Sequence, residues 1–553
     1  MPRSPAQELR PPMPFPDFTV TVPVFIRRLA QTHGDREVIV LDERRLSYRE
    51  AEQESARLAE GLLGRGIGKG TRVAVLMPNG PDWLVAWLAV TRIGAILVPL
   101  NTFFQTRELR WILGHADVHT LLTVSEYLGH DYLARLEAAA PGLEESTAGA
   151  LHLTALPHLR QIFVWGGSNR GWAESDADLR AGGEAFAQDD FLKAVEESVS
   201  PADAMAILYS SGSTADPKGA IHSQGTVLRH AYNLASGRDL GPTDRVWSPM
   251  PFFWVGGFVF SLMGNMYVGA TTLCEEVFEP GTTLAFLERE RITVALGWPH
   301  FGKALSEHPD FQSRDLSSLR AGNVPDLLPT SLVPEDPLLR PTALGMTETC
   351  GPHTWTRMEG ALPENRRGSF GSAIDGVSHR VVDPETGNEL PQGELGEISV
   401  RGYSLMQGLY KVEREAVFEP DGFYRTGDAG YFDAEGILYF TGRLGEMIKS
   451  GGANVTPSEV EQALVAQAEV KEAYVVGLPD ADRGQTVEAA VVLEIGESVT
   501  GEALRARIKQ ELSAYKVPRH IVVYASGTLP FSDTGKIDKR ALVEDLEGRI
   551  GTP

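Results

Sequence analysis

Cysteine is nearly missing from this chain: Cys274 and Cys350 are the only two among 553 residues. They make no disulfide framework and no metal-ligand spacing, which fits a reducing compartment. Long apolar runs are missing too. No stretch approaches the roughly 18 residues that a membrane span requires, so no span is expected. Basic charge is in deficit, with 51 Lys and Arg against 74 Asp and Glu, a formal charge of −23. Such a chain repels phosphate backbones and anionic lipid at long range, which argues against nucleic-acid binding. Any polyanionic ligand must be held by a local site working against the global field. There is no tandem repeat or low-complexity tract. The opening MPRSPAQELRPPMPFPDF has proline where a signal peptide needs an apolar core. Residues 1–17 are therefore expected to be a loose leader, and the chain cytoplasmic.

The composition is 42% apolar and 23% charged, an ordinary globular balance. At about 150 residues per domain, the length allows three or four structural units. Arg72 to Met77 (RVAVLM) is a short apolar run closed by Pro78, Asn79 and Gly80, which predicts a buried strand and a turn. Pro81 opens a helix over PDWLVAWLAVTRI and Gly94 ends it. Ala95 to Leu100 then completes a β-α-β unit. A helix over Arg107 to Leu113 and a strand over Val118 to Val124 continue the alternation, which predicts a mostly parallel sheet covered by helices. Residues 137–188, with weak periodicity, are expected to be surface helices and loops. A strand from Ala204 feeds a polar Gly-rich loop. The segment 387–410 alternates as β structure, with hairpin turns near Asp421, Asp428 and Gly436. Beyond Arg443 the texture changes: strands over Val470–Gly477, Val487–Leu493 and His520–Tyr524, and a helix over Glu502–Ser513, predict a compact α+β unit. The fold class is thus α/β and α+β. A large N-terminal domain (18–442) of layered sheets and helices is followed by a small, mobile C-terminal α+β domain (443–553), hinged near 443–446.

The strongest local signal is Tyr209-Ser-Ser-Gly-Ser-Thr-Ala-Asp-Pro-Lys-Gly219. Ser210, Ser211, Ser213 and Thr214 offer hydroxyls, Gly212 exposes backbone N–H, and Lys218 adds a point charge, which suits a phosphate pair. The spacing is not that of a Walker loop, and on this stretch alone a solvated Ser/Gly turn is equally acceptable.

Three further stretches make a resemblance specific: Gly345-Met-Thr-Glu348, then Tyr424-Arg-Thr-Gly-Asp428 with Gly442-Arg443, and last Gly535-Lys536 in LPFSDTGKIDKRAL. With the Ser/Gly loop, in this order, they resemble the adenylate-forming superfamily of acyl-CoA synthetases, luciferases and peptide-synthetase adenylation domains. The likeness spans about Phe18 to Leu546 and is greatest to the acyl-CoA ligases.

The resemblance implies a role for each position. Lys536 would stabilise charge on the α-phosphoryl and acyl oxygens, and Glu348 would hold Mg²⁺, a hard cation that prefers carboxylate oxygen. Thr347 would donate to the α-phosphate, although a Thr-Glu pair alone is equally a helix cap. Asp428 would accept the ribose hydroxyls, with Arg443 near ribose and phosphates; by itself Asp428 is equally an Asx-turn residue. Leu344 falls where an aromatic usually stacks on adenine. Lys449 resembles a lysine that enters the site after the small domain rotates, and Gly451 and Gly452 beside it would let the pantetheine arm of coenzyme A pass. Phe253, Trp254, Trp298, Ala321 and Gly322 fall where the family builds its acyl pocket, which suggests a bulky apolar acid. His222 and His300 are read as structural.

The chain departs from the pattern at Ala215 for glycine, Trp254 for histidine, Leu344 for an aromatic and Gly445 for a hinge aspartate or lysine. The implied reaction joins a small-molecule substrate, a bulky apolar carboxylic acid, to coenzyme A at the expense of ATP, giving acyl-CoA, AMP and pyrophosphate. Two alternatives stay open: a ligase that only transfers a preformed acyl-AMP to coenzyme A, and a nucleotide-binding pseudoenzyme. A homodimer is compatible with the sequence.

Overall fold

In the computed structural model the described residues are 16–184, 190–210, 216–356, 361–444, 448–455, 457–530 and 537–551, without the side chains of residues 299, 331, 337, 443, 454 and 458. Ser211, Gly212, Ser213, Thr214, Ala215, Gly445 and Lys536 lie outside the described residues.

Eight strands form the central sheet, in the spatial order Gly408–Leu409, Lys218–Ser223, Ala204–Ser210, Ile96–Pro99, Arg72–Leu76, Thr120–Val124, Gln161–Trp165 and Glu174–Ser175. From Ala204–Ser210 onward every pairing is parallel. Its strands are buried on both faces, so they read as continuous apolar runs rather than alternating ones. The helix Pro81–Arg92 packs Trp83, Trp87 and Leu88 into the largest core cluster together with Val73 and Leu97. A second cluster, around Leu121, Ile162 and Trp172, is built on the other strand residues.

Residues 137–184 are more ordered into the core than expected. Gln161–Trp165 is a full member of the sheet, and Leu151, Leu153, Leu156 and Leu159 are buried beneath it. A five-residue strand buried on both sides has no period of two to betray it, and scattered leucines in a loop show no period at all.

A second sheet of six strands carries Arg245–Trp247, Val294–Ala295 and Ala321–Gly322 as parallel neighbours. The run Gly256–Met263 between these strands winds as a π-helix, a rare form that recurs at functional sites. Val377–Val382, Gly396–Gly402, Tyr424–Phe432 and Leu438–Arg443 make an antiparallel sheet with turns near Asp421 and Gly436 as expected, whereas Asp428, also expected at a turn, lies within the strand Tyr424–Phe432 and pairs with Arg443.

Among the described residues, strands before Arg443 pair only with one another, and so do those from Ile448 on. The latter form a smaller sheet in which Val470–Asp480 and Gly484–Leu493 are antiparallel, with His520–Tyr524 added in parallel. The helices Pro457–Val465 and Gly501–Ile508 cover one core of this unit and Lys539–Ile550 a second. No helix among the described residues is long and apolar enough to cross a membrane.

Candidate functional site

The parallel strands Ile96–Pro99 and Ala204–Ser210 are neighbours, and their carboxyl ends open on one crevice, the usual ligand position in sheets of this kind. A cavity of about 250 Å³ lies there, bordered by Pro99, Asn101, Tyr209 and Ser210 from those ends. Lys218 faces Ser210 across the hairpin that encloses the Ser/Gly loop. The opposite wall comes from Gly345, Met346 and Thr347, at the tip of a second hairpin, Ala343–Met346 with Gly351–Trp355. Gly345 has to be glycine, since a Cβ there would fall 2.5 Å from the backbone of Gly351 and Pro352.

That tip is held from several sides. Cys350 adopts a left-handed conformation (φ 60°) that turns the chain, and Thr349 Oγ1 donates to the Gly351 carbonyl at 2.7 Å. His222 Nε2 donates to the Thr347 carbonyl at 2.8 Å, and Met406 N to the Glu348 carbonyl at 2.8 Å. Glu348 is thereby fixed with its side chain only 7% exposed, accepting from Ser210 Oγ at 3.2 Å. Among the described residues no cationic side chain pairs with this carboxylate. A buried charge with only a neutral hydroxyl beside it is poorly compensated, so Glu348 fits a hard cation that also binds phosphate oxygen. Among the described residues no cluster of three or more His, Cys, Asp or Glu side chains could hold a metal ion.

His222, His230 and His353 are fully buried, and burial pushes the first two down to about 4 and about 3 and the third well below its usual value. In the unfolded chain they titrate near 6.5. Only the unfolded state takes up protons below that value, so stability is full above about pH 6.5 and is lost as the pH falls through the window down to about 4. At pH 5 each histidine removes up to about 2 kcal/mol. The thermal unfolding midpoint is expected to drop steeply between pH 7 and pH 5; a flat profile across that interval would contradict the buried neutral state.

The small unit closes the cavity. Its turn at Gly452 and Ala453, together with Tyr515 and Lys516, completes the wall that Phe253, Trp254 and Trp298 begin. Trp254 is edge-on to Trp298 at 5.6 Å and to Tyr515 at 6.1 Å. The same aromatics form the partition to a second cavity of about 360 Å³, bordered by Phe103, Glu275, His300, Phe301 and Gly451. Burial pushes the Glu275 carboxyl up to about 7, although Trp247 Nε1 donates to it at 3.0 Å. His300 stacks on Trp298 and lies tilted against Phe301, in keeping with a packing role.

Other positions named from the sequence lie elsewhere. Ala321 and Gly322 border a separate cavity of about 130 Å³ with Asn323, Arg340 and Pro341. Leu344 points into the main core and is 5% exposed, so a larger ring at this position would have to find room there. Asp428 is buried in the antiparallel sheet, in backbone register with Arg443. Lys449 is exposed and does not border either of the cavities at the aromatic partition; its ammonium lies over the Phe440 ring at 4.9 Å. Asn101, Tyr515 and Lys516, which border the first cavity, belong to none of the motifs legible in the sequence. A lysine after a tyrosine carries no mark of burial, and only the contact with the large unit reveals it.

The chain matches the family described as AMP-binding enzyme over residues 26–410, and the AMP-binding enzyme C-terminal domain over residues 459–536. It belongs to that family, the adenylate-forming enzymes that its motifs resemble. It is 32% identical to the protein of Bacillus subtilis (strain 168) named as acyl-CoA synthetase YngI, over 95% of this chain and 96% of that one. It is 31% identical to the mouse mitochondrial medium-chain acyl-CoA ligase ACSF2, covering 94% and 86%. It is also 30% identical to an indoleacetate–CoA ligase of Aromatoleum aromaticum, covering 93% and 96%. Among solved structures it is similar to the amide bond synthetase McbA of Marinactinospora thermotolerans (TM-score 0.74, 25% identity, 94% and 99% covered). It is similar as well to ATP-bound MatB of Rhodopseudomonas palustris (TM-score 0.62, 25% identity, 97% and 100% covered).

Proposed function

We propose that this chain is an acyl-CoA ligase that converts a bulky apolar carboxylic acid to its coenzyme A thioester through an acyl-adenylate. The observation that carries this reading is the meeting of Ser210 and Thr347 at one cavity, with Glu348 hydrogen-bonded to Ser210 beside it, while Gly452 and Tyr515 of the small unit supply further wall. In the first step a carboxylate oxygen attacks the α-phosphorus of ATP and pyrophosphate leaves. Ser210, the Ser/Gly loop and Lys218 would hold the phosphates, and Thr347 would donate to the α-phosphate. Mg²⁺ at Glu348 would neutralise phosphate charge. In the second step the thiolate of coenzyme A attacks the acyl carbon and AMP departs with the former carboxylate oxygen.

The two cavities that share the aromatic partition suit these two reactants. Phe253, Trp254 and Trp298 offer the acid an apolar wall in the first, and the second leads past Gly451 toward the same partition, a path for the pantetheine arm. The relatives' names, one for medium-chain acids and one for an indole acid, favour an apolar substrate. Lys536 would act in another arrangement of the small unit, exchanged for this one by rotation near Gly445. Supplying aromatic and medium-chain acids with coenzyme A, with and without ATP, tests the reading. ATP-dependent release of AMP with one thioester is expected. Thioester formation from acyl-AMP but never from ATP would favour the transfer-only alternative, and no thioester from either would refute the proposal.

A further inference from the structure

The small unit is docked on the large one through buried charge. Lys516 is 1% exposed, and its ammonium lies 2.7 Å from a Glu108 carboxylate oxygen and 2.8 Å from one of Glu459. Ser513 Oγ also contacts both Glu108 oxygens, at 3.0 and 2.8 Å. Glu108 belongs to the large unit. It sits in the first turn of the helix Thr106–His115 and accepts from Gln105 N at 2.9 Å. Glu459, Ser513 and Lys516 all belong to the small unit.

Lys516 borders the first cavity, which invites a phosphate-binding role. The charges decide against it, because two buried carboxylates already surround the ammonium. We propose that Glu108 and Lys516 are positioning residues that hold the small unit in the arrangement competent for thiol transfer. This inference rests on the two-step reading above. When the small unit turns, Glu459 and Ser513 travel with Lys516 while Glu108 stays behind. The Glu108 contact therefore counts in one arrangement only, and a contact made in one of two states biases the equilibrium between them. On undocking, Glu108 loses its cationic partner while Lys516 keeps Glu459, so the Glu108 contact stabilises the docked arrangement alone. Its effect reaches the partition between the cavities. Tyr515, adjacent to Lys516, is edge-on to Trp254 at 6.1 Å and to Phe103 at 6.5 Å.

Glu108→Gln is the informative variant. Glutamine keeps the acceptor that caps the helix, so the large unit retains its fold, but the charge facing Lys516 is gone. Glu459→Gln is the control, since it breaks a pair internal to the small unit. Glu108→Gln is expected to slow coenzyme A transfer from supplied acyl-AMP at least tenfold, with ATP–pyrophosphate exchange unchanged or faster. A cycle with Lys516→Met should show coupling between the two residues in transfer and none in exchange. The domain arrangement is read independently by spin labels on cysteines placed at the exposed positions Gln53 and Ser498. Cys274 and Cys350 are buried, and burial holds both thiols well above their usual value, so they stay unlabelled. Glu108→Gln should deplete the docked distance and Glu459→Gln should not. Equal slowing of both half-reactions, or a distance distribution unchanged by Glu108→Gln, would overturn the proposal. Should no acid support either half-reaction, the functional reading fails, and the label distances still decide whether Glu108 holds the two units together.

Discussion

Lys536→Ala is expected to abolish AMP-forming turnover while leaving thioester formation from synthetic acyl-AMP largely intact. The attack of a carboxylate on a phosphate brings two anions together, in a chain whose net charge is already −23. A cation placed at the reacting oxygens is worth roughly 100- to 1,000-fold in rate when removed singly, and the sequence Thr534-Gly535-Lys536 resembles the family's lysine motif. In the arrangement described, the small unit presents Gly452, Tyr515 and Lys516 to the cavity. The ammonium of Lys516 is taken up by Glu108 and Glu459, which leaves the adenylation step in need of another cation. Pyrophosphate exchange and acyl-AMP-dependent transfer measured side by side separate the two steps. Equal loss of both, with the fold intact by circular dichroism, would contradict the assignment.

The converse result is expected at Gly452. Its φ of +82° suits glycine, and a Cβ there would lie 2.6 Å from the Trp298 indole, across the boundary between the units. Gly451, with φ +57°, has no atom within 4 Å of its would-be Cβ. Gly452→Val therefore forces Trp298 and the turn apart and adds strain of about 1–3 kcal/mol, disfavouring the arrangement in which the second cavity meets the first. Coenzyme A transfer should fall about 100-fold or more, with adenylation changed little, and Gly451→Ala should do much less. If Gly452→Val slowed pyrophosphate exchange as much as transfer, the turn would belong to the nucleotide site instead.

Much of the fold is legible in the sequence, for identifiable reasons. Arg72–Leu76 and Ile96–Pro99 are apolar runs closed by Pro, Asn or Gly, with a proline-started helix between them, and they form the heart of the parallel sheet. Gln161–Trp165 is hidden because a strand buried on both faces has no alternation. The site is legible where chemistry needs rare local patterns: Ser210 beside a Ser/Gly loop, and Thr347-Glu348 after Gly345. Ser210, Gly345 and Thr347 border one cavity, and Glu348 accepts from Ser210, although more than a hundred positions separate the two stretches in sequence. The acyl set is less readable. Trp254 and Trp298 do share a wall, but Ala321 and Gly322 open on another cavity, because aromatic and small residues mark burial without saying which space they face. Glu108 and Lys516 are invisible from sequence, since an ordinary helix-capping glutamate and a lysine become a buried pair only through the contact between units.

Isotope transfer tests the central claim most directly. With the acid labelled by ¹⁸O in its carboxylate, and ATP and coenzyme A supplied, the expected result is one ¹⁸O atom in each AMP released and pyrophosphate free of label, because the attacking carboxylate oxygen stays on the α-phosphorus when the thiolate displaces AMP. Label in inorganic phosphate with ADP as coproduct, or AMP without label, would contradict an acyl-adenylate intermediate.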